Sequence, residues 1–229
     1  MAGHSKFKNI MHRKGAQDAK KAKIFTKITR EISAAVHEGG SVKPEDNPRL
    51  RAVLLKARQA EVPKDRIQKA ISNTQHTPTV PMRYFCYGPG MIAMVIECMT
   101  DSKNRIASEM RLIFDKHNAK VESTEYLFTQ MGCVKYQVPF TEAVELQGLE
   151  AEAVTVEREE DQVVFLFAID TFNERKKLLE GLGEQTFDGL VWVPNATRAV
   201  SEENAAKLSK FLEALEDHDD VQDIWTNAE

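Results

Sequence analysis

The chain has 229 residues, 42% of them hydrophobic and 29% charged, with a formal net charge of −4. That balance fits a folded globular chain and excludes an intrinsically disordered one. No apolar run approaches the roughly 18 residues that a bilayer-spanning helix needs, and the first residues lack the apolar core and small-residue cleavage site of a secretory signal.

The charge is sorted by position. Residues 1–75 carry 17 Lys and Arg against 7 Asp and Glu, a net +10, and residues 76–229 carry 14 against 28, a net −14. Clustered cations attract polyanions whatever the whole-chain charge, so a nucleic acid is the first partner to consider. Nine basic residues and the single acid Asp18 fall within residues 1–30, as in a mitochondrial presequence. They run directly into a helical pattern, however, so the expectation is mature protein in the cytoplasm. Cys86, Cys98 and Cys133 contain no C-x-x-C pair, which reads as buried free thiols, neither a disulfide framework nor a zinc site.

The segment HSKFKNIMHRK interleaves Lys6, Lys8, Arg13 and Lys14 with His4, Phe7, Asn9 and His12, a mixture suited to phosphate contacts and base stacking. Without apolar periodicity before Ala16, it reads as an arm that orders on its target. Phe7 satisfies two readings, stacking on a base or docking on the helices that follow.

From Ala16 to Glu38, Ile24, Ile28, Ile32 and Val36 recur every fourth residue, and Gly39-Gly40 supplies a stop. At about 100° per residue, Lys20, Lys23, Lys27 and Arg30 share one arc of roughly 80° away from that stripe. Asn47 is positioned to cap a second helix with Pro48 in its first turn and an apolar stripe of Leu50, Val53, Leu54 and Ala57. Arg49 with Lys56, and Arg51 with Arg58, flank that stripe. Pro63 opens a third, short helix with Ile67, Ala70 and Ile71 inward and Lys64, Arg66 and Lys69 outward.

The opening AGHSKFKNIMHRKGAQDAKKAKIFTKITREI, then NPRLRAVLLKA, VPKDRIQKAI, YGPG and TDSKNR, in that order, resemble the YebC family, also called PmpR, which includes the mitochondrial translational activator of cytochrome oxidase. The resemblance implies an α+β protein of three domains: an N-terminal helical bundle and two α+β (ferredoxin-like) domains, the third inserted into the second. With the charge boundary it implies divisions at 1–75, 76–139 plus 200–229, and 140–199. It also implies a DNA-binding transcriptional regulator, or, as for some members, a factor acting on the ribosome during translation. The chain departs from the family pattern at Phe7, where Trp is usual, at Met91, where a glycine is usual, and in HNAKVESTEYLF, where a glycine-rich turn is usual.

Beyond the basic module, MRYFCYG and MIAMVIECM read as strands around Pro89-Gly90, with a helix from Asp101 or Asn104 bearing Ile106, Met110, Ile113 and Phe114. CVKYQVP reads as a returning strand. A new unit is expected near Phe140, with a strand over 162–169, a helix over 171–182 and a strand over 189–194. A helix carrying Ala205, Leu208, Leu212 and Leu215 then leads to VQDIW as an edge strand. The acids Glu216, Asp217, Asp219, Asp220 and Asp223 lack the spacing of a calcium loop and read as a solvated tail.

No phosphate loop, H-E-x-x-H or G-x-S-x-G is present, so no enzyme, cofactor, metal site or small-molecule substrate is expected. His117 reads as a capping or partly buried histidine. The remaining function classes are a DNA-binding transcriptional regulator and a ribosome- or ribosomal-RNA-binding factor. Both place Lys and Arg on phosphates, so the sequence barely separates them.

Overall fold

The computed structural model describes residues 17–72 and 80–229. The helical domain comprises α1 (Gln17–Gly39), α2 (Pro48–Gln59) and α3 (Lys64–Ser72). The chain continues through β1 (Val80–Gly88), β2 (Ile92–Thr100), α4 (Lys103–Lys116), β3 (Lys120–Val121), β4 (Phe128–Gln137), α5 (Glu142–Glu150) and β5 (Thr155–Glu159). It ends with β6 (Gln162–Phe167), α6 (Ile169–Arg175), β7 (Glu184–Pro194), α7 (Glu202–Glu216) and β8 (Val221–Thr226).

In the helical domain Ile28, Ile32, Ala35 and Val36 of α1 pack against Leu50, Val53 and Ala57 of α2 and Ala70 of α3. Ile24, expected on the same stripe, is 45% exposed, and Phe25 beside it packs against the core instead. The turn after α1 is held by Asn47. Its side-chain oxygen accepts from the Leu50 N–H at 3.0 Å, and its amide donates to the carbonyls of Ala35 and Ser41, each at 2.9 Å. One buried side chain thus caps α2 and fastens it to the end of α1. A Cβ on Gly39 would lie 2.3 Å from that amide nitrogen, so only glycine fits there. Gly40 turns the chain at φ +64° while donating to the Val36 carbonyl.

The second domain is a four-stranded antiparallel sheet of order β3-β1-β2-β8, so the terminal strand closes beside β2. One face packs on α4 and α7 through Met94, Ile96, Ile106, Met110, Leu208, Phe211 and Leu215. Ser102 caps α4 by accepting from the Arg105 N–H; the sequence pointed instead to Asp101 or Asn104. His117 ends that helix with its ring 5.4 Å from Phe211, and burial followed by Lys116 and Lys210 lowers its pKa.

The inserted domain is compact over Phe128–Val193 and orders its strands β5-β6-β4-β7. With α5 and α6 this is β-α-β-β-α-β with split crossovers, the ferredoxin-like arrangement. The second domain departs from that expectation: it begins with a hairpin, and β8 pairs at the far side of β2. The boundaries also differ from those expected at 140 and 199. CVKYQVP lies largely in β4, which pairs with β6 through Cys133, Val134 and Tyr136, so the chain has already entered the inserted sheet. Val134, Tyr136, Val163, Phe165, Phe167 and Phe172 form that domain's core.

Candidate nucleic-acid interface

The segment from His4 to Lys14, with Lys6, Phe7, Lys8, Asn9, His12 and Arg13, lies outside the described residues. Lys20 and Lys23 belong to α1. The remaining cations expected to meet a polyanion divide between two environments.

Arg49, Arg51 and Arg58 of α2 are exposed, as are Lys64, Arg66 and Lys69 of α3. Arg66 lies 5.7 Å from the centroid of the Phe25 ring, a cation–π contact that lays its stem along the bundle. Because α2 and α3 bury their other sides on α1, this surface is cationic by construction.

Arg30, Lys56 and Lys27 are half-buried. Arg30 forms an ion pair with Asp220, whose side chain is only 2% exposed. Lys56 donates to both oxygens of Glu31, at 3.1 and 3.2 Å. Burial acts first to lower the Lys56 pKa, but the nearby carboxylates of Asp223, Glu31 and Glu97 outweigh it and raise the pKa. Glu31 is displaced upward by burial, with Lys56 opposing. Burial, aided by Asp220 and opposed by Lys27, pushes the Cys98 thiol up to about 12. Arg30 and Lys56, expected among phosphate-facing residues, are therefore engaged within the protein.

The acids that receive them come from the sheet. Glu97 on β2 and Asp223 on β8 are direct cross-strand partners, a like-charge juxtaposition that is unfavourable unless cations bridge it. Arg83 serves Glu97 from β1 at 2.7 Å, and Lys56 lies within the field of both acids. Asp220 collects more partners. The Thr100 hydroxyl donates to its Oδ2 at 2.8 Å and Arg105 donates to the same atom at 2.7 Å, while Arg30 serves Oδ1. Its backbone N–H donates to Nδ1 of His218, whose Nε2 lies 2.9 Å from Glu109.

The expectation of a solvated acidic tail is thus corrected at Asp220, which is buried and hydrogen-bonded. Acidic spacing carried no sign of this. Thr100 and Arg105, which make the burial affordable, stand more than a hundred positions away in sequence. Glu109, His218 and Asp220 lie close enough together to hold a metal ion, but both oxygens of Asp220 already face guanidinium groups, a poor setting for another cation.

At the turn between β1 and β2, Met91 has φ +57° and Gly90 φ +76°. Met91 occupies the left-handed region, where a glycine is easier to accommodate.

Two family models match the chain in sequence: the TACO1/YebC protein N-terminal domain over residues 5–77, and the TACO1/YebC second and third domain over residues 79–228. The chain belongs to this family. A relative in Rickettsia bellii strain RML369-C, named a probable transcriptional regulatory protein, is 41% identical across 100% of this chain and 94% of its own. A similarly named protein of Rickettsia rickettsii strain Sheila Smith is 40% identical, covering 100% of this chain and 95% of its own. The crystal structure of a conserved hypothetical protein from Aquifex aeolicus superposes with a TM-score of 0.83 at 32% identity, covering 95% of this chain and 94% of that one. Its likeness extends over the helical region and both antiparallel sheets, so the YebC fold with its inserted third domain is the fold of this protein. Among the described residues no helix is long and apolar enough to cross a membrane.

Proposed function

We propose that this protein is a non-enzymatic, nucleic-acid-binding regulator of gene expression that engages duplex DNA as a transcriptional regulator. The observation carrying the reading is the exposed pair Arg51 and Arg58, seven residues apart on one flank of α2, together with the exposed Lys64 and Lys69 of α3. Lys20, Lys23 and the arm from His4 to Lys14 extend the cationic region in sequence. Guanidinium groups make two-point contacts with phosphate oxygens, and a helix face delivers several at the spacing of one turn. Such contacts position a protein on a duplex without reading bases. The names of the relatives support regulation of transcription as the setting.

The test is a salt titration of the full chain on duplex DNA, with a structured RNA hairpin in parallel. If about five phosphates are engaged, log K falls against log salt with a slope near −4.5 on the duplex. Affinity independent of salt would defeat the reading. Tighter, salt-dependent binding to the hairpin would transfer the site to structured RNA and favour a ribosomal target.

A further inference from the structure

We infer that an acidic patch of the second domain, centred on Asp220, occupies part of the nucleic-acid site on α1, and that a bound polyanion must displace it. This rests on the reading that the helical domain binds nucleic acid. By helical spacing the sequence puts Lys20, Lys23, Lys27 and Arg30 on one arc, and a phosphate backbone following that arc would reach Arg30. There it meets Asp220, which already holds the guanidinium. The second domain therefore presents to this part of α1 what a phosphate would present: an anionic oxygen on Arg30, with the Glu97 and Asp223 pair close to Lys56.

The contact is built to be released. Asp220 is buried, and a buried carboxylate that lost all its partners would resist leaving them. Its Oδ2 keeps Thr100 and Arg105, both from its own domain, at 2.8 and 2.7 Å. Arg30 serves the other oxygen, so its departure does not strand the charge. The Arg30 side chain is 26% exposed, which gives water and a phosphate oxygen access to it. Lys56 has a partner within the helical domain, Glu31, and that pair travels with α1 and α2. The guanidinium of Arg30 leaves one oxygen of Asp220, and a phosphate offers it an equivalent partner.

Asp220→Asn decides the matter, since the amide keeps the size of the side chain and loses the charge that holds Arg30. In the full chain, at matched folded fraction, Asp220→Asn should bind duplex DNA about eightfold more tightly near 0.1 M salt. The log–log salt slope should steepen by about 0.9, the increment for one additional phosphate. Adding Arg30→Gln should abolish both gains. Equal or weaker binding by Asp220→Asn would make the pair a structural fastening and overturn the proposal. Should neither wild type nor variant bind with any salt dependence, the nucleic-acid reading itself fails and the competition falls with it.

A second measurement needs no change at the joint. Fluorophores on Asp65→Cys and Glu122→Cys, both exposed positions, report the separation of α3 from the second domain. Duplex DNA should lower energy transfer between them. Saturating DNA that leaves the transfer unchanged would overturn the proposal independently of how Asp220→Asn folds.

Discussion

Arg30 and Arg58 belong to one basic module, on helices that share a core, yet they meet opposite surroundings. Arg58 stands exposed at the end of α2, whereas Arg30 is tied to a carboxylate 190 positions away. Exposed cations cost the fold little and remain available to a ligand, while a cation paired with a buried acid is part of how two domains meet. Charge counting merges the two populations. What separates them is the opposing surface: α2 and α3 turn Arg51, Arg58, Lys64 and Lys69 to solvent, while the middle of α1 meets the acids Glu97, Asp220 and Asp223 of the second domain.

The largest expected effect is on binding. Replacing Arg51 and Arg58 together with Gln should weaken duplex binding by about 60-fold near 0.1 M salt if each engages one phosphate, and should flatten the salt slope by about 1.8. Fluorescence anisotropy over a series of salt concentrations measures both. An unchanged slope would show that the exposed face is ordinary solvated surface and that binding lies elsewhere.

Next in size is the half-buried pair of Lys56 and Glu31. Lys56→Met should cost about 1–3 kcal/mol, because Glu31 loses the partner that offsets its desolvation. The sign of the pH dependence follows from Glu31, whose pKa burial already raises above the ordinary carboxylate value. Removing Lys56 raises it further. The folded state then holds a proton over a range where the unfolded state has released it, so the variant loses stability as pH rises through that range. The penalty of Lys56→Met should accordingly be largest near neutrality and shrink as pH falls through the folded pKa of Glu31, since a protonated carboxyl does not need the ammonium. Thermal melts of both proteins from pH 4 to 8 test this, and a penalty constant with pH would remove Glu31 as its cause.

The sequence made much of this architecture legible, and the misses have physical reasons. The cap at Asn47, with Pro48 at the first turn, marks α2 because side-chain capping is a local interaction. β1 and β2 stand out as apolar runs on either side of Pro89-Gly90. By contrast α5 escaped notice: Leu146 and Leu149 are more than half exposed, so the helix has no inward apolar stripe to reveal it. It packs instead through Gly148, where an added Cβ would come within 2.5 Å of Val156 and 2.8 Å of Phe165. The entry into the inserted sheet at β4 is not legible locally because β4 is as apolar as its neighbours, and which sheet a strand joins depends on a partner, β6, that follows some 30 residues later. The candidate interface was legible as composition and charge. The assignment of Arg30 and Lys56 was not, because it depends on Asp220, Asp223 and Glu97, brought near by the closure of β8 on β2.

The smallest effects concern stability at Arg30 and Arg58. Arg30→Ala should cost about 1 kcal/mol: a hydrogen bond to a charged group contributes about 1.5–3 kcal/mol when well shielded, and Arg30 is 26% exposed. The loss stays modest because Arg105 and Thr100 continue to satisfy Asp220. Arg58→Ala should stay within about 0.5 kcal/mol of wild type, as exposed substitutions generally do. Urea denaturation of the two single variants and the double variant resolves the difference, and the two changes should add because they share no partner. If Arg58→Ala proved as costly as Arg30→Ala, the exposed face would be held by contacts of its own. The division between a surface that binds and a surface that fastens would then have to be redrawn around α2.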